Sequence, residues 1–277
     1  MAKIGMSFNE VDRQAKACTL NGVERFSNRV ANYVKYRPGY PAEMMTFFKG
    51  ELGLTENSVV ADIGSGTGLS SKPFLENANV VYGVEPNAGM RAAGEEYLNE
   101  FENFRSVDGT SDNTGLSDSS VNFIIAAQAF HWFEPEATQR EFKRILKPGG
   151  YVCLIWNERQ LYTTPFLREY EKLLLKYATD YEKVRHENVN EEKLGAFFGK
   201  SVERQAFANQ QILDFEGLQG RLLSSSYMPA EGDADFEPLI EDLRALFAKH
   251  ERESKIAILY DTNVFYTQYP GAEARTK

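Results

Sequence analysis

Apolar and polar positions follow two periodicities along most of the chain. Short apolar runs rich in β-branched residues predict strands at 58–63, 80–84, 104–107, 121–127 and 151–156. Apolar residues at helical spacing predict helices between them, from Pro41 to Gly53, from Leu69 to Asn77, from Asn87 to about Phe101 and from about Glu134 to Leu146. This alternation predicts an α/β fold with a mostly parallel sheet covered on both faces, and a ligand crevice at the carboxyl ends of its strands.

The pattern changes after Asn157. Residues 160–200 are charged and aromatic with helical periodicity, and we interpret them as a helical insertion or lid. A strand at 202–213, a helix capped by Asp214, a helix at about 235–250 and a strand from Ile256 to Tyr266 are then predicted. At the other end, apolar residues between Phe26 and Val34 predict a helical N-terminal arm.

Three alternating glycines follow the first predicted strand. Side chains at Gly64, Gly66 and Gly68 would keep the backbone from approaching a ligand at the start of the next helix. Glu85 ends the second strand, 17 residues after Gly68, where its carboxylate can accept hydrogen bonds from both ribose hydroxyls. Together these features indicate a pocket for a cofactor that contains adenosine.

The spacing of the glycines separates this pocket from two other nucleotide sites. The order is G-x-G-x-G followed by Leu69, so the third glycine of a dinucleotide fingerprint is out of register, and no P-loop sequence is present. A tight connection between a strand and a helix, without a ligand, is the alternative. The position of Glu85 favours the cofactor pocket.

Composition limits the remaining function classes. The 277 residues are 42% apolar, enough to bury one large core. The formal charge is −9, which would repel a nucleic-acid backbone, so we expect no nucleic-acid partner. Cys153 lies in a predicted core strand, which favours a buried free thiol over a disulfide with Cys18.

Membrane and metal chemistry are not expected either. The chain has no apolar run of about 18 residues, and its start lacks the apolar core of a signal peptide, so we expect a cytoplasmic protein without a membrane partner. The three histidines, His131, His186 and His250, are widely separated, and no metal site is predicted.

Several segments resemble a known family. Ala61-Asp-Ile-Gly-Ser-Gly-Thr-Gly68 resembles the first motif of class I S-adenosylmethionine-dependent methyltransferases, and Gly83-Val-Glu-Pro-Asn87 resembles their acidic second motif. Further segments are similar to the methyltransferase type 11 branch that includes trans-aconitate methyltransferase-like proteins; they are Phe26 to Tyr33, Arg37 to Pro41, Gly109-Thr110, Gln128 to Phe133 and Lys147 to Gly150. The resemblance is strongest from about Phe26 to Asn157.

The resemblance implies a Rossmann-like sheet of seven strands whose last strand is antiparallel. It divides the chain into an arm over 1–40, an S-adenosylmethionine-binding core over 41–157 and the remainder of the same fold over 158–277. Methyl transfer from a sulfonium is an in-line displacement, which mainly requires alignment and exclusion of water.

The resemblance also implies roles for individual residues around the cofactor. The turn under its methionine part would be lined by Gly64, Ser65, Gly66 and Gly68, with Asp62 orienting that turn. Glu85 would bind the ribose, and the residues near the adenine would be Pro86, Met90, Thr110 and Ser111, although Thr110 replaces the commoner acidic residue. Tyr33, Arg37 and Gln128 would face the sulfonium and amino-acid end, unless the arm simply packs on the surface.

The acceptor site is less sharply indicated. His131 is a candidate general base or a structural turn residue, and Trp132 is a packing residue or part of an aromatic wall. Arg221 and Tyr227 lie in a segment that borders the acceptor cavity in similar proteins, or they belong to a serine-rich helix end. The sequence Gln128-Ala-Phe-His-Trp replaces the Pro-Pro-aromatic motif of enzymes that methylate bases, so base methylation is disfavoured.

We therefore expect a methyltransferase that acts on an oxygen atom, of a carboxylate or a hydroxyl, in a small molecule. A cofactor-binding regulatory module without catalysis and a methyltransferase of protein or RNA are the alternatives. The oligomeric state, monomer or homodimer, stays open at this point.

Overall fold

The computed structural model describes residues 35–179, 191–199, 202–225 and 227–268. Most of the predicted N-terminal arm, including Tyr33, lies outside these residues, as do Cys18 and His186.

Within the described residues, seven strands form one sheet, as the sequence predicted. They are β1 Val59–Ile63, β2 Val80–Val84, β3 Phe104–Val107, β4 Val121–Ala127, β5 Leu146–Arg159, β6 Glu203–Leu213 and β7 Ile256–Gln268. Their order in the sheet is β3-β2-β1-β4-β5-β7-β6. The first five strands are parallel, and β7 lies antiparallel between β5 and β6. The prediction of a late antiparallel strand inserted beside its neighbour is confirmed.

Eight α-helices, from 5 to 15 residues long, accompany the described part of the sheet. They are α1 Ala42–Gly50, α2 Lys72–Glu76, α3 Ala88–Tyr97, α4 Pro135–Ile145, α5 Pro165–Tyr177, α6 Glu191–Phe198, α7 Phe215–Leu223 and α8 Phe236–His250. Asp214 caps α7 as predicted, because its side chain accepts a hydrogen bond from the Gly217 N–H at 2.8 Å. Two helices are shorter than expected: α2 begins only at Lys72, and α3 ends at Tyr97.

The two faces of the sheet are buried by different helices. Met44 and Phe48 of α1 and Phe74 of α2 pack on one face, where Cys153 of β5 is a buried free thiol, as predicted. Phe142 of α4 and Phe197 of α6 pack on the other face. Both faces of the parallel strands are therefore covered, which explains why these strands are nearly continuous apolar runs in the sequence.

A third apolar cluster joins α5, α7 and α8 to the beginning of β7. It includes Leu167, Leu218, Leu243, Ile258 and Tyr260, all of them buried. Because β7 is antiparallel to β5, with Tyr260 opposite Arg159, this cluster lies at the carboxyl end of β5. A helical layer therefore packs at the same edge of the sheet as the glycine turn after β1.

The region predicted as one helical insertion, residues 160–200, contributes to two different layers. Helix α5 belongs to the layer at the carboxyl edge, whereas α6 packs with α4 on one face of the sheet. In the part of the chain that the structure describes, no helix is both long and apolar enough to cross a bilayer.

Candidate functional site

The glycine turn after β1 lies too close to its surroundings to carry side chains. A Cβ added to Gly64 would lie 2.7 Å from the Cβ of Ala129, and one added to Gly68 would overlap Cδ1 of Leu98. Both residues also have positive φ, 70° at Gly64 and 82° at Gly68, a conformation that glycine adopts at little cost. Packing and backbone conformation therefore both require glycine at these two positions, and the turn carries no side chain there.

The carboxylate of Glu85 reaches from the end of β2 to this turn. Its Oε2 accepts a hydrogen bond from the Gly66 N–H at 2.9 Å, and its Oε1 accepts one from the Asn87 N–H at 2.8 Å. Burial raises the pKa of Glu85, while these two N–H groups lower it. Each carboxylate oxygen has a further lone pair, so Glu85 can still accept hydrogen bonds from a ligand hydroxyl.

Asp62, the acid inside β1, anchors the segment that follows the glycines. Its Oδ2 accepts hydrogen bonds from the Ser70 and Ser71 hydroxyls, both at 2.7 Å. Its Oδ1 is buried without a partner, and so is the hydroxyl of Thr67 within the turn. Burial raises the pKa of Asp62 to about 6, against the effect of the two serine hydroxyls.

These groups fit the cofactor that the sequence implies. A buried acceptor atom without a partner is costly unless a donor satisfies it, and the amino group of S-adenosylmethionine is such a donor. The bare turn accommodates the methionine part, and Glu85 offers acceptors for the ribose. An S-adenosyl nucleoside therefore matches the donors and acceptors that this end of the sheet presents.

The residues expected near the adenine differ in their burial and in their hydrogen bonds. Met90 is buried, with its Cε 3.3 Å from where a Cβ of Gly66 would lie, and Pro86 is exposed. Thr110 donates to Asp112 at 2.6 Å, whereas Ser111 shares a hydrogen bond of 2.8 Å with Thr138 of α4. The hydroxyl of Ser111 is thus held by the protein, and the exposed Thr110 with Asp112 is the more accessible polar group.

The end of β4 carries an unusual backbone conformation. Gln128 has φ of 58°, in the left-handed region that residues other than glycine rarely adopt, and its N–H donates to the Ile155 carbonyl at 2.9 Å. Strain of this kind is concentrated at ligand sites. We therefore keep Gln128 as a site candidate on structural grounds.

His131 and Trp132 follow Gln128 in a single 3₁₀ turn, Phe130–Trp132. Their ring centroids lie 4.8 Å apart. The protein atoms around the imidazole lower the pKa of His131 to about 4 by desolvation, although the residue as a whole is exposed. The imidazole is consequently neutral at physiological pH, but it is a weak base.

The end of the N-terminal arm crosses the carboxyl edge of the sheet on the β5 side. Arg37 donates through Nη2 to the Ser224 carbonyl at 3.0 Å. Asn157 and Asn209 donate to the Gly39 carbonyl at 3.1 and 2.9 Å. Arg37 is thus half-buried between the sheet and the end of α7, on the side away from β2.

Arg221 and Tyr227 lie in the helical layer beside this crossing. Arg221 donates through Nε to the Tyr260 hydroxyl at 3.1 Å and through Nη1 to the Ser225 hydroxyl at 3.3 Å. Both Arg221 and Tyr227 interact electrostatically with the buried Tyr170 of α5. The structure therefore brings the predicted acceptor residues together with Tyr170 and Tyr260, which the sequence did not single out.

The predicted site residues fall into two groups along one edge. Those after β1, β2 and β3 surround the glycine turn, and those after β5 and β6 surround Arg221, with Gln128 and His131 between them at β4. Among the residues that sequence reasoning missed, Asn87 had a visible signal as a helix N-cap, since its side chain accepts from the Met90 N–H. Across the described ranges, no three His, Cys, Asp or Glu side chains converge as metal ligands would.

Several known proteins are similar to this chain. Residues 61–154 match the family model described as a methyltransferase domain. An uncharacterised methyltransferase-like protein of Schizosaccharomyces pombe is 26% identical over 250 residues, which are 89% of this chain and 96% of that protein. An uncharacterised methyltransferase of Mycobacterium tuberculosis is 32% identical over 138 residues, and the match spans 48% of this chain and about half, 52%, of that protein.

A solved structure shows the same fold. It is described as a type II methyltransferase of Anaeromyxobacter dehalogenans and superposes with a TM-score of 0.63 at 18% identity. The match covers 85% of this chain and 99% of that one. The likeness therefore extends beyond the matched domain to the late strands and helices.

Proposed function

Because the chain belongs to the class I S-adenosylmethionine-dependent methyltransferases, we propose that it transfers a methyl group to an oxygen atom of a small-molecule acceptor. The proposal concerns the acceptor, since the cofactor follows from the family. Three features of the carboxyl edge support it: the arrangement around the glycine turn, the protonation state of His131 and the helical layer beside β5.

The residues around the glycine turn hold and orient the cofactor. S-adenosylmethionine supplies a methyl group on a positively charged sulfur, which any nucleophile in line with it can attack. Glu85 and Asp62 are hydrogen-bond acceptors at this turn, and Gln128 follows β4, which lies between β1 and β5 in the sheet. The chain contributes position and exclusion of water rather than a covalent intermediate.

The low pKa of His131 favours an acceptor that is already ionised. A hydroxyl nucleophile needs a base with a pKa near the working pH, whereas the pKa of His131 is lowered to about 4 by desolvation. A carboxylic acid has an unperturbed pKa of about 4 and is a carboxylate at neutral pH without help. Among oxygen nucleophiles, a carboxylate is therefore the better match to this site.

The helical layer of α5, α7 and α8 supports a small-molecule acceptor over a macromolecular one. It packs at the carboxyl end of β5 and the beginning of β7 through a buried apolar cluster, and Arg221 interacts with the buried Tyr170 of this layer. A protein or RNA acceptor would need an open groove at this edge. The formal charge of −9 also opposes an RNA partner.

Titration calorimetry and a product assay test the proposal together. We expect S-adenosylmethionine to bind with micromolar affinity, and S-adenosylhomocysteine to accumulate when a panel of organic acids is added. Binding without product in any acceptor pool, metabolites included, would indicate a regulatory module instead. Product formed only with macromolecules would contradict the small-molecule acceptor.

A further inference from the structure

Arg91 lies in the first turn of α3 and reaches back to the end of β2. Its Nη1 donates to the backbone carbonyl of Glu85 at 2.8 Å. Its Nη2 donates to Oδ2 of Asp108, the residue that follows β3, at 3.1 Å and forms an ion pair with it. Because β2 and β3 are parallel neighbours, with Val84 opposite Val107, Glu85 and Asp108 are the next residues along the two strands. One guanidinium therefore ties together the carboxyl ends of two strands.

The two contacts use the planar shape of the guanidinium. Its Nη1 and Nη2 atoms form a rigid fork, so binding of one to the Glu85 carbonyl orients the other. The side chain of Arg91 is 20% exposed, whereas that of Asp108 is 72% exposed. An ion pair with so exposed a partner contributes little to the stability of a fold. The position of Glu85 is therefore a better explanation for this arrangement than stability alone.

Glu85 is held through its main chain as well as through its side chain. Its carboxylate accepts hydrogen bonds from the Gly66 and Asn87 N–H groups. Its own N–H donates to the Val107 carbonyl at 3.0 Å, and its carbonyl accepts from Arg91. The backbone from which the carboxylate extends is thus fixed by β3 on one side and by Arg91 on the other.

The charges around Glu85 indicate a second effect of Arg91. Burial raises the pKa of Glu85, whereas two backbone N–H groups and the positive charge of Arg91 lower it. The neighbouring acids are Asp108, at the far end of Arg91, and Asp62 of β1, whose pKa is raised by burial and further by the negative charge of Glu85. Arg91 therefore offsets negative charge that would favour a protonated Glu85, in which one oxygen carries a proton.

We infer that Arg91 is a positioning residue of the cofactor site, which binds the Glu85 carbonyl and Asp108 together and so holds the Glu85 carboxylate beside the glycine turn, ready to accept from a ribose. The inference rests on the assignment of the ribose to Glu85. It concerns the cofactor side alone and does not depend on which acceptor is methylated. Because S-adenosylhomocysteine carries the same ribose as S-adenosylmethionine, it serves as the probe.

A double-mutant cycle tests the coupling between Arg91 and Glu85. We expect Arg91→Gln alone to raise the Kd for S-adenosylhomocysteine about fivefold in calorimetric titrations at about pH 7. In the Glu85→Gln background the same substitution should change the Kd by less than about twofold, because the carboxylate on which Arg91 acts is absent. Equal fold-changes in the two backgrounds, or no change in either, would overturn the positioning role.

The pH dependence separates the charge of Arg91 from its shape. Loss of the positive charge in Arg91→Gln should raise the pKa of Glu85, so on acidification the affinity for S-adenosylhomocysteine should begin to fall at a higher pH than in the wild type. Arg91→Lys keeps the charge but not the fork, so its pH profile should match the wild type while its Kd is intermediate. A shift of the same size in the Glu85→Gln background would show that Arg91 acts through another group, against the inference.

Arg144→Gln is the matched control, because Arg144 is also a helical arginine that bridges two acids. It pairs with Glu141 at 2.7 Å and with Asp118 at 2.6 Å. We expect this variant to have a lower melting temperature, because Glu141 is a buried acid, and an unchanged Kd for S-adenosylhomocysteine. Arg91→Gln should show a higher Kd with little change in melting temperature. A Kd that rises with lost stability in both variants would assign Arg91 a general role in the fold and refute its positioning role.

Discussion

The two ends of the candidate site are built in different ways, although they share one edge of one sheet. On the cofactor side, the hydrogen bonds join residues close in sequence: 19 residues separate Gly66 from Glu85, and 8 separate Asp62 from Ser70. On the acceptor side they join distant segments, since 187 residues separate Arg37 from Ser224 and 39 separate Arg221 from Tyr260. The cofactor side is thus a local motif, and the acceptor side is an assembly of the arm, β6, α7 and β7.

This contrast matches what each side has to recognise. The cofactor side has a single ligand to recognise, and its candidate residues, the glycine turn and Glu85, lie on one strand and the next. The acceptor side presents groups from loops and helices added at the edge, which is where binding residues vary most readily on a common scaffold. Variants on one side should therefore leave the other largely intact, and the following predictions test that separation.

The largest effect is expected from Gly64→Ala. The new Cβ would lie 2.7 Å from Ala129 in a residue with φ of 70°, so the turn must move. We expect the Kd for S-adenosylhomocysteine, measured by calorimetry, to rise about 100-fold or more, since shifts of this kind cost about 1–3 kcal/mol in packing and as much in backbone strain. Gly53→Ala is the control, because Gly53 has φ of 71° but no atom within 4 Å of the added Cβ. Equal losses in both variants would contradict the role of the turn.

A large loss of stability without loss of cofactor affinity is expected from Glu171→Gln. The change leaves Arg159 as a buried charge without its ion-pair partner on the acceptor side. We expect the free energy of unfolding, from chemical denaturation, to fall by about 3 kcal/mol. Asp242→Asn, which breaks the exposed pair with Lys176, should leave the free energy of unfolding nearly unchanged. A weakened affinity for S-adenosylhomocysteine in Glu171→Gln would show that the two sides are coupled.

A smaller effect is expected from Glu85→Gln. The carboxylate accepts from Gly66 and Asn87 through different oxygens, whereas the amide can accept through only one atom and so cannot serve Gly66, Asn87 and a ribose hydroxyl together. The Kd for S-adenosylhomocysteine should rise about tenfold, or about 1.4 kcal/mol. Glu141→Gln is the matched control, because Glu141 is also a buried acid but binds Thr114 and Arg144 away from the turn. It should destabilise the protein and leave the affinity unchanged.

The smallest effect is a pH dependence of cofactor binding. The pKa of Asp62 is raised by burial to about 6, so about half of this group is protonated at that pH in the free protein. If the ionised form receives the cofactor's amino group, binding favours loss of this proton, and affinity rises with pH. Calorimetry should show about a twofold lower Kd at about pH 7 than at about pH 6. Asp62→Asn should abolish the dependence, and a wild-type affinity that falls over this range would refute the pairing.

The elements of the fold were largely predictable because their signals are periodic and local. Both the β-branched runs that became β1 to β5 and the alternation that placed helices on both faces are visible without any partner. Helix α2 was predicted too long because residues 69–71 look compatible with a helix. Ser70 and Ser71 instead lie in the turn, where their hydroxyls bind Asp62, a contact that only the folded chain reveals.

The cofactor side was predictable for the same reason. Gly64, Gly68 and Glu85 lie within one strand-turn-helix-strand unit, so their spacing along the chain determines that they meet at the same edge of the sheet. Arg221 was a candidate, but nothing in its neighbourhood distinguished a substrate ligand from a serine-rich helix end. Packing of α7 against β7 brings Tyr260 to Arg221, and Gln211 of β6 accepts a hydrogen bond from the same Tyr260 hydroxyl, whereas Glu171 of α5 pairs with Arg159. Whether a particular arginine pairs with a carboxylate of the protein depends on long-range packing, because its partners come from distant segments, and only the tertiary structure decides it.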